Sequence, residues 1–214
     1  DLVKPNPQFS LRLHTRQVFY DFGRSLLTAK IDTALAIVSL DKKLDADANI
    51  SGPLNGGDPL MVVNWRVNHS KLKTPFLDFD DASFTGYYTN EVVPGIARRD
   101  PNSKINISNF SATWNYFAVS SNNIEILNLY KPLLTCDLTS NFSLIKLNEL
   151  ITSNSIQLQA GNGSIDLTYK GPLQKNNNTN SFGNGIGSWK HGKVLYNPRN
   201  VELKNVNGRL EFKN

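Results

Sequence analysis

Ile156-Gln157-Leu158-Gln159-Ala160 and, after Gly161-Asn162-Gly163-Ser164, Ile165-Asp166-Leu167-Thr168-Tyr169-Lys170 alternate apolar and polar side chains. A period of two is the signature of a strand, because successive side chains point to opposite faces. The same alternation recurs upstream in Val63-Asn64-Trp65-Arg66-Val67-Asn68. Downstream, Leu203 sits between Glu202 and Lys204, and Leu210 and Phe212 flank Glu211. Each stretch predicts a strand with one apolar and one wet face. Gly52-Pro53, Gly56-Gly57-Asp58-Pro59, Asp100-Pro101 and Gly171-Pro172 punctuate these runs. The chain holds 27 asparagines in 214 residues, a composition that opposes long helices and favours turns. The expectation is a mainly β protein: one long curved antiparallel sheet, as a β-groove or open sandwich, with one or two short helices.

Two segments carry a helical period. Ser143 to Ile151 places Leu144, Leu147, Leu150 and Ile151 on one stripe, with Ser143 positioned as N-cap. Thr15 to Leu27 spaces Val18, Phe19, Phe22 and Leu26 in a weaker helical pattern, interrupted by Gly23. Residues 174–187 (QKNNNTNSFGNGIG) read as an exposed, mobile loop. Two short motifs repeat. Ile50-Ser51-Gly52-Pro53-Leu54 matches Tyr169-Lys170-Gly171-Pro172-Leu173. An apolar–any–Asn/Asp–small-or-apolar pattern occurs at Phe79-Asp80-Asp81-Ala82, Ile107-Ser108-Asn109-Phe110 and Leu203-Lys204-Asn205-Val206. The expectation for the latter is a strand end, an Asx turn and a restart.

The net charge of +5 is concentrated at one end. Residues 1–169 carry 15 Lys and Arg against 16 Asp and Glu; residues 170–214 carry 8 against 2. A basic segment can meet an anionic surface, but solvated strand faces explain it as well. No dense basic run or aromatic–basic RNA-binding motif is present, so nucleic acid is not an expected partner. No apolar run approaches the roughly 18 residues of a membrane-spanning helix. Residue 1 is Asp, so the chain is read as processed or as an excerpt. The single cysteine, Cys136, excludes an internal disulfide and reads as a small buried hydrophobe.

No catalytic constellation stands out. HExxH, paired CxxC, Walker-loop and GxSxG patterns are absent. Gly183-Asn184-Gly185-Ile186-Gly187 is glycine-rich but opens no predicted helix, so it is not read as a phosphate cradle. Asp78 and Asp80 share one strand face, with Asp81 at a turn, and read as a solvated edge rather than a metal site. Trp65, Trp114, Trp189, Tyr87, Tyr88, Tyr116 and Phe117 are candidates for a sugar-stacking platform or for ordinary core packing. No enzyme activity, cofactor or metal is expected.

The stretch Leu127-Asn128-Leu129-Tyr130-Lys131-Pro132-Leu133-Leu134, the segment Leu144–Ile151, the strand pair closing on Lys170-Gly171-Pro172-Leu173, and the final Asn205-Val206-Asn207-Gly208-Arg209-Leu210-Glu211-Phe212-Lys213-Asn214 together resemble the AsmA family of Gram-negative envelope proteins. Phe84-Thr85-Gly86-Tyr87-Tyr88-Thr89-Asn90 looks like the family too, so the resemblance covers residues 75–214. It implies a repeating β-groove whose apolar inner face carries phospholipid between membranes. It also implies a single AsmA-like domain over residues 1–214, on the periplasmic side of the envelope, within a longer protein held by a membrane anchor. The expected partner is a phospholipid or other acyl-chain lipid. The groove candidates are Val63, Trp65, Val67, Ile156, Leu158, Ile165, Leu167, Tyr169, Leu210 and Phe212. Such a trough needs continuity of apolar side chains and no reactive residue. The rival expectation is a β-sandwich that binds glycan or protein, in which the same side chains face a second sheet.

Overall fold

The computed structural model describes residues 7–25, 29–75, 77–151, 153–173 and 182–213. In chain order the elements are β1 (Gln8–Val18), α1 (Tyr20–Ser25), α2 (Ala29–Leu35), β2 (Ser39–Leu40), β3 (Leu44–Pro53), β4 (Leu60–Lys73), β5 (Asp78–Thr89), β6 (Lys104–Trp114), β7 (Phe117–Leu127), β8 (Leu133–Ser143), β9 (Ile156–Pro172), β10 (Phe182–Tyr196) and β11 (Val201–Lys213). All the strands belong to one antiparallel sheet, ordered β1-β3-β4-β5-β6-β7-β8-β9-β10-β11, with β2 pairing β4. Sequence neighbours therefore pair as a meander. The sheet is open, with β1 and β11 at its edges. The molecule exposes 13753 Å², where a compact protein of its mass exposes about 9,900 Å².

The register carries one apolar face across the whole sheet. Side chains directly opposite in an antiparallel ladder share a face. Ala46, Trp65, Gly86, Ile107, Ile124, Cys136, Tyr169 and Gly183 form one such row, crossing from β3 to β10. With no second sheet against it among the described residues, this face must be covered another way. The described residues between β1 and β2 pack on the apolar face. Tyr20 and Val38 of this segment pack into a cluster with Leu44, Val67, Phe84 and Phe110, and its Leu35 and Ile37 pack into a second cluster with Tyr88, Ile105, Ile126 and Leu134. Asp41 then fixes β2: it accepts from the Ser70 hydroxyl at 2.8 Å and the Lys71 amide at 2.6 Å.

Strand bulges interrupt the regular alternation. Within the strands, His69, Asp81, Asn109, His191 and Asn205 take left-handed φ values of 51–57°. Asn, Asp and His tolerate that region better than most residues. An extra residue bends a strand and increases its twist. It also changes which residues face inward. In β4 the inner set passes from Val63, Trp65 and Val67 to Ser70 and Leu72. In β5 it passes from Phe79 to Ala82, Phe84 and Tyr88; in β6 from Ile105 and Ile107 to Phe110 and Ala112. The Asp81, Asn109 and Asn205 motifs are therefore bulges inside continuous strands, not strand ends.

Both helical expectations are corrected. Thr15 to Val18 complete β1, opposite Ala46 and Leu44, and the helix α1 begins only at Tyr20. β-branched and aromatic residues there find a strand partner. Leu26 and Leu27 lie outside the described residues. Leu144–Glu149 is a 3-10 helix, its Ser143 side chain makes no cap bond, and of its apolar residues only Leu144 is buried. The Asn148 carboxamide accounts for this tight turn: it donates to Leu158 O at 2.7 Å and accepts from Leu158 N at 2.9 Å. One side chain thus completes the β9 edge where β8 has ended. The loop expected at 174–187 is also corrected, since Phe182 to Gly187 begin β10, paired with β9 throughout and with β11 from Asn184 onward; residues 174–181 lie outside the described set.

A candidate apolar furrow on strands β9 to β11

The ten residues singled out in the sequence share the inner face but not one environment. Val67 is 1% exposed and is core, so it is withdrawn as a groove residue. Val63, Trp65 and Tyr169 are half-buried against the core clusters. Leu158 and Ile165 are half-buried on β9. Ile156, Leu167, Leu210 and Phe212 are exposed, at 40–51%. The division follows the cover. The β1–β2 segment packs into the clusters built on β3 to β8, whereas on β9 to β11 the apolar face is shielded, among the described residues, chiefly by Leu144. Tyr196, Val201 and Leu203 are exposed on the same face, opposite Ile156 and Leu158 in the ladder.

The floor of this open region is made of glycine. Gly183, Gly185 and Gly187 of β10 lie opposite Tyr169, Leu167 and Ile165 of β9, and Gly185 and Gly187 lie opposite Phe212 and Leu210 of β11. A Cβ built on Gly183 or Gly187 would meet no atom within 4 Å. At Gly185 it would meet Leu167 Cδ2 at 2.7 Å and Phe212 Cδ2 at 2.9 Å, so these two side chains lean over the strand from either side. The result is a furrow with apolar walls on β9 and β11 and a bare backbone floor on β10. Neighbouring strands lie about 4.8 Å apart, so the backbones of the two walls stand roughly 10 Å apart; the Leu167 and Phe212 side chains meet over Gly185, and the floor is open at Gly183 and Gly187 on either side of them.

At its far end the furrow is closed by packing. Trp189 covers Gly208, where a Cβ would fall 2.0 Å from the indole. Leu144 fills the hollow left by Gly161, Gly163 and Gly192, within 3.5 Å of a Cβ at each. Trp65 covers Gly86 in the same manner on the other half of the sheet.

The opposite face is mostly polar and charged, with Ile186 exposed between Asp166 and Glu211. Thr168, Lys170, Glu202, Lys204, Arg209 and Glu211 alternate with the furrow residues. Lys193 and Lys204 hold the Glu202 carboxyl below its usual range through hydrogen bonds. Ser164 and Ser188 are joined across β9 and β10 at 2.8 Å. Asp81 hydrogen-bonds His69 at 2.7 Å on this face, linking two adjacent bulges. Among the described residues no three His, Cys, Asp or Glu side chains converge on a metal-sized site. Cys136 is buried on the inner face, and burial pushes its thiol up to about 11.

The aromatics do not form one platform. Trp65, Trp114, Tyr88 and Phe117 face the core, Trp189 lies on Gly208, Tyr87 faces outward, and Tyr116 stands in the β6–β7 turn. The glycine floor was the signal overlooked in the sequence. Gly183, Gly185 and Gly187 repeat with period two, which places all three on one strand face. No helix among the described residues is long and apolar enough to cross a membrane. No family model, curated protein or solved structure matches this chain.

Proposed function

We propose that the chain is a non-enzymatic lipid-binding module of AsmA type, which holds or conducts a phospholipid acyl chain along the furrow of β9 to β11. The observation that carries the reading is the glycine floor between exposed apolar walls, on a sheet whose other face is mostly polar. Bare backbone in mid-strand weakens a sheet, so it calls for a reason, and close approach of a ligand supplies one. Each methylene taken from water contributes about 0.8 kcal/mol, so a chain lying against Leu167, Leu210 and Phe212 is retained without any polar contact. The envelope location and membrane anchor implied by the resemblance belong to the same proposal.

The test is mass spectrometry of organic extracts of the purified chain, expressed with envelope targeting. Near-stoichiometric phospholipid is expected, with loss on Leu210→Asp together with Phe212→Asp, and retention with Thr168→Asp on the outer face. Lipid at the level of a same-size control protein contradicts the proposal. The rival sandwich reading lacks its second sheet among the described residues, which all pair into one.

A further inference from the structure

β11 is a free edge of the sheet. Among the described residues it pairs only with β10, and all of Val201–Lys213 except Val206 and Gly208 is exposed. A long edge with unpaired backbone groups is a template for a further strand, and β11 holds no proline that would block one.

The side chains of this edge carry a self-complementary pattern. The bulge at Asn205 divides the strand, so that Glu202 and Lys204 before it and Asn207, Arg209, Glu211 and Lys213 after it all face outward. In the single chain these charges pair along their own strand, Lys204 with Glu202 at 3.2 Å and Arg209 with Glu211 at 2.9 Å, on side chains open to solvent.

We infer that β11 pairs antiparallel with β11 of a second copy about a two-fold axis at Gly208, which closes the assembly at a dimer. A bulge on each strand then offsets the other. β10 and β11 already pair in this way, with bulges at His191 and Asn205 and inner residues opposite inner residues on either side of them. In the dimer Lys204 faces Glu211 of the second copy and Glu202 faces Lys213, on the outer face. On the inner face Leu203 meets Phe212 and Val206 meets Leu210, so the two apolar faces join.

Charge selects this axis. An axis at Asn207 sets Glu202 against Glu211 and Lys204 against Arg209. An axis at Arg209 sets that residue against itself and Lys204 against Lys213. An axis at Leu210 pairs Arg209 with Glu211 but leaves Glu202 and Lys204 past the end of the described strand. The other edge of the sheet is no substitute: the outer face of β1 carries Arg12, His14 and Arg16 and no acid, so it offers Lys204, Arg209 and Lys213 no partner. Backbone hydrogen bonds supply the attachment. Exposed ion pairs add little energy, but they fix the register. The inference does not rest on the furrow reading, since Lys204 and Glu211 lie on the opposite face.

The test is sedimentation equilibrium of the purified chain over a hundredfold range of concentration. A monomer–dimer equilibrium is expected, weakened at least tenfold by Glu211→Lys and restored by Glu211→Lys together with Lys204→Glu, a rescue that misfolding would not give. Register is read by a short bismaleimide in a Cys136→Ala background. A mixture of the Lys204→Cys and Glu211→Cys variants should cross-link, and neither variant alone should, because like positions then stand roughly 20 Å apart. A monomer at every concentration, assemblies larger than a dimer, a dimer indifferent to Glu211→Lys, or cross-links within a single variant would each overturn the inference. Lipid content of the extracts is expected to be the same for Glu211→Lys and the parent, so failure of the dimer and failure of the furrow reading are separable.

Discussion

At the residue scale, positions that look interchangeable in sequence have opposite tolerances. Gly86 and Gly187 are both mid-strand glycines on the inner face. A Cβ on Gly86 falls 2.0 Å from the Trp65 ring, and one on Gly187 meets nothing. Gly86→Ala should therefore destabilise the fold by about 1–3 kcal/mol through overpacking, read from the urea midpoint. Gly187→Val should leave the midpoint equal or higher, because a β-branched residue replaces glycine in a strand. Cys136 gives a second prediction. Its thiol is held neutral to about 11, above the ordinary 9, so the native state keeps a proton that the unfolded chain releases. Stability from this group is complete below pH 9 and declines as pH rises toward 11. Tyr88, pushed up to about 12 by burial, extends the decline. Urea titrations at pH 8 and pH 10.5 should show the loss, and Cys136→Ala should remove the part beginning near pH 9.

At the element scale, bulges explain how much of the fold was legible. Alternation identified the inner-face sets of β4, β9 and the end of β11, because period two is a local property of the chain. The recurrent motif at Asp81, Asn109 and Asn205 was visible as well, but its meaning was not. Local sequence cannot say whether an Asn in left-handed conformation ends a strand or shifts it by one place, since that depends on a partner strand far away in sequence. The test lies in the side chain. Asn109→Gly should be neutral or stabilising, whereas Asn109→Val should cost about 1–2 kcal/mol, the penalty for a β-branched residue at positive φ. The Leu144–Glu149 segment shows the same limit. Its apolar spacing fits an α-helix, and only the reach of Asn148 to Leu158 decides otherwise. Asn148→Ala should leave that backbone pair without partners and raise amide exchange at Leu158, with about 1–2 kcal/mol of local stability lost.

At the scale of the whole molecule, one sheet carries an apolar face that the chain covers only in part. The β1–β2 segment shields the region from β3 to β8, and among the described residues the region from β9 to β11 stays open around its glycines. The sequence could place Val67 and Phe212 on one face. It could not separate core from furrow, because that depends on where the β1–β2 segment comes to rest, about thirty residues from Val67 and more than 170 from Phe212 in sequence. Uncovered apolar area of this kind marks interaction sites, and here it lies beside the open glycine positions Gly183 and Gly187 of β10. The most direct measurement is photo-crosslinking in the presence of phospholipid vesicles, with p-benzoylphenylalanine in place of Leu210 or, on the outer face, Arg209. Lipid adducts at position 210, abolished by Gly187→Val and absent at position 209, are the predicted result. Equal adducts at both positions, or none at 210 in a folded chain, would contradict the account.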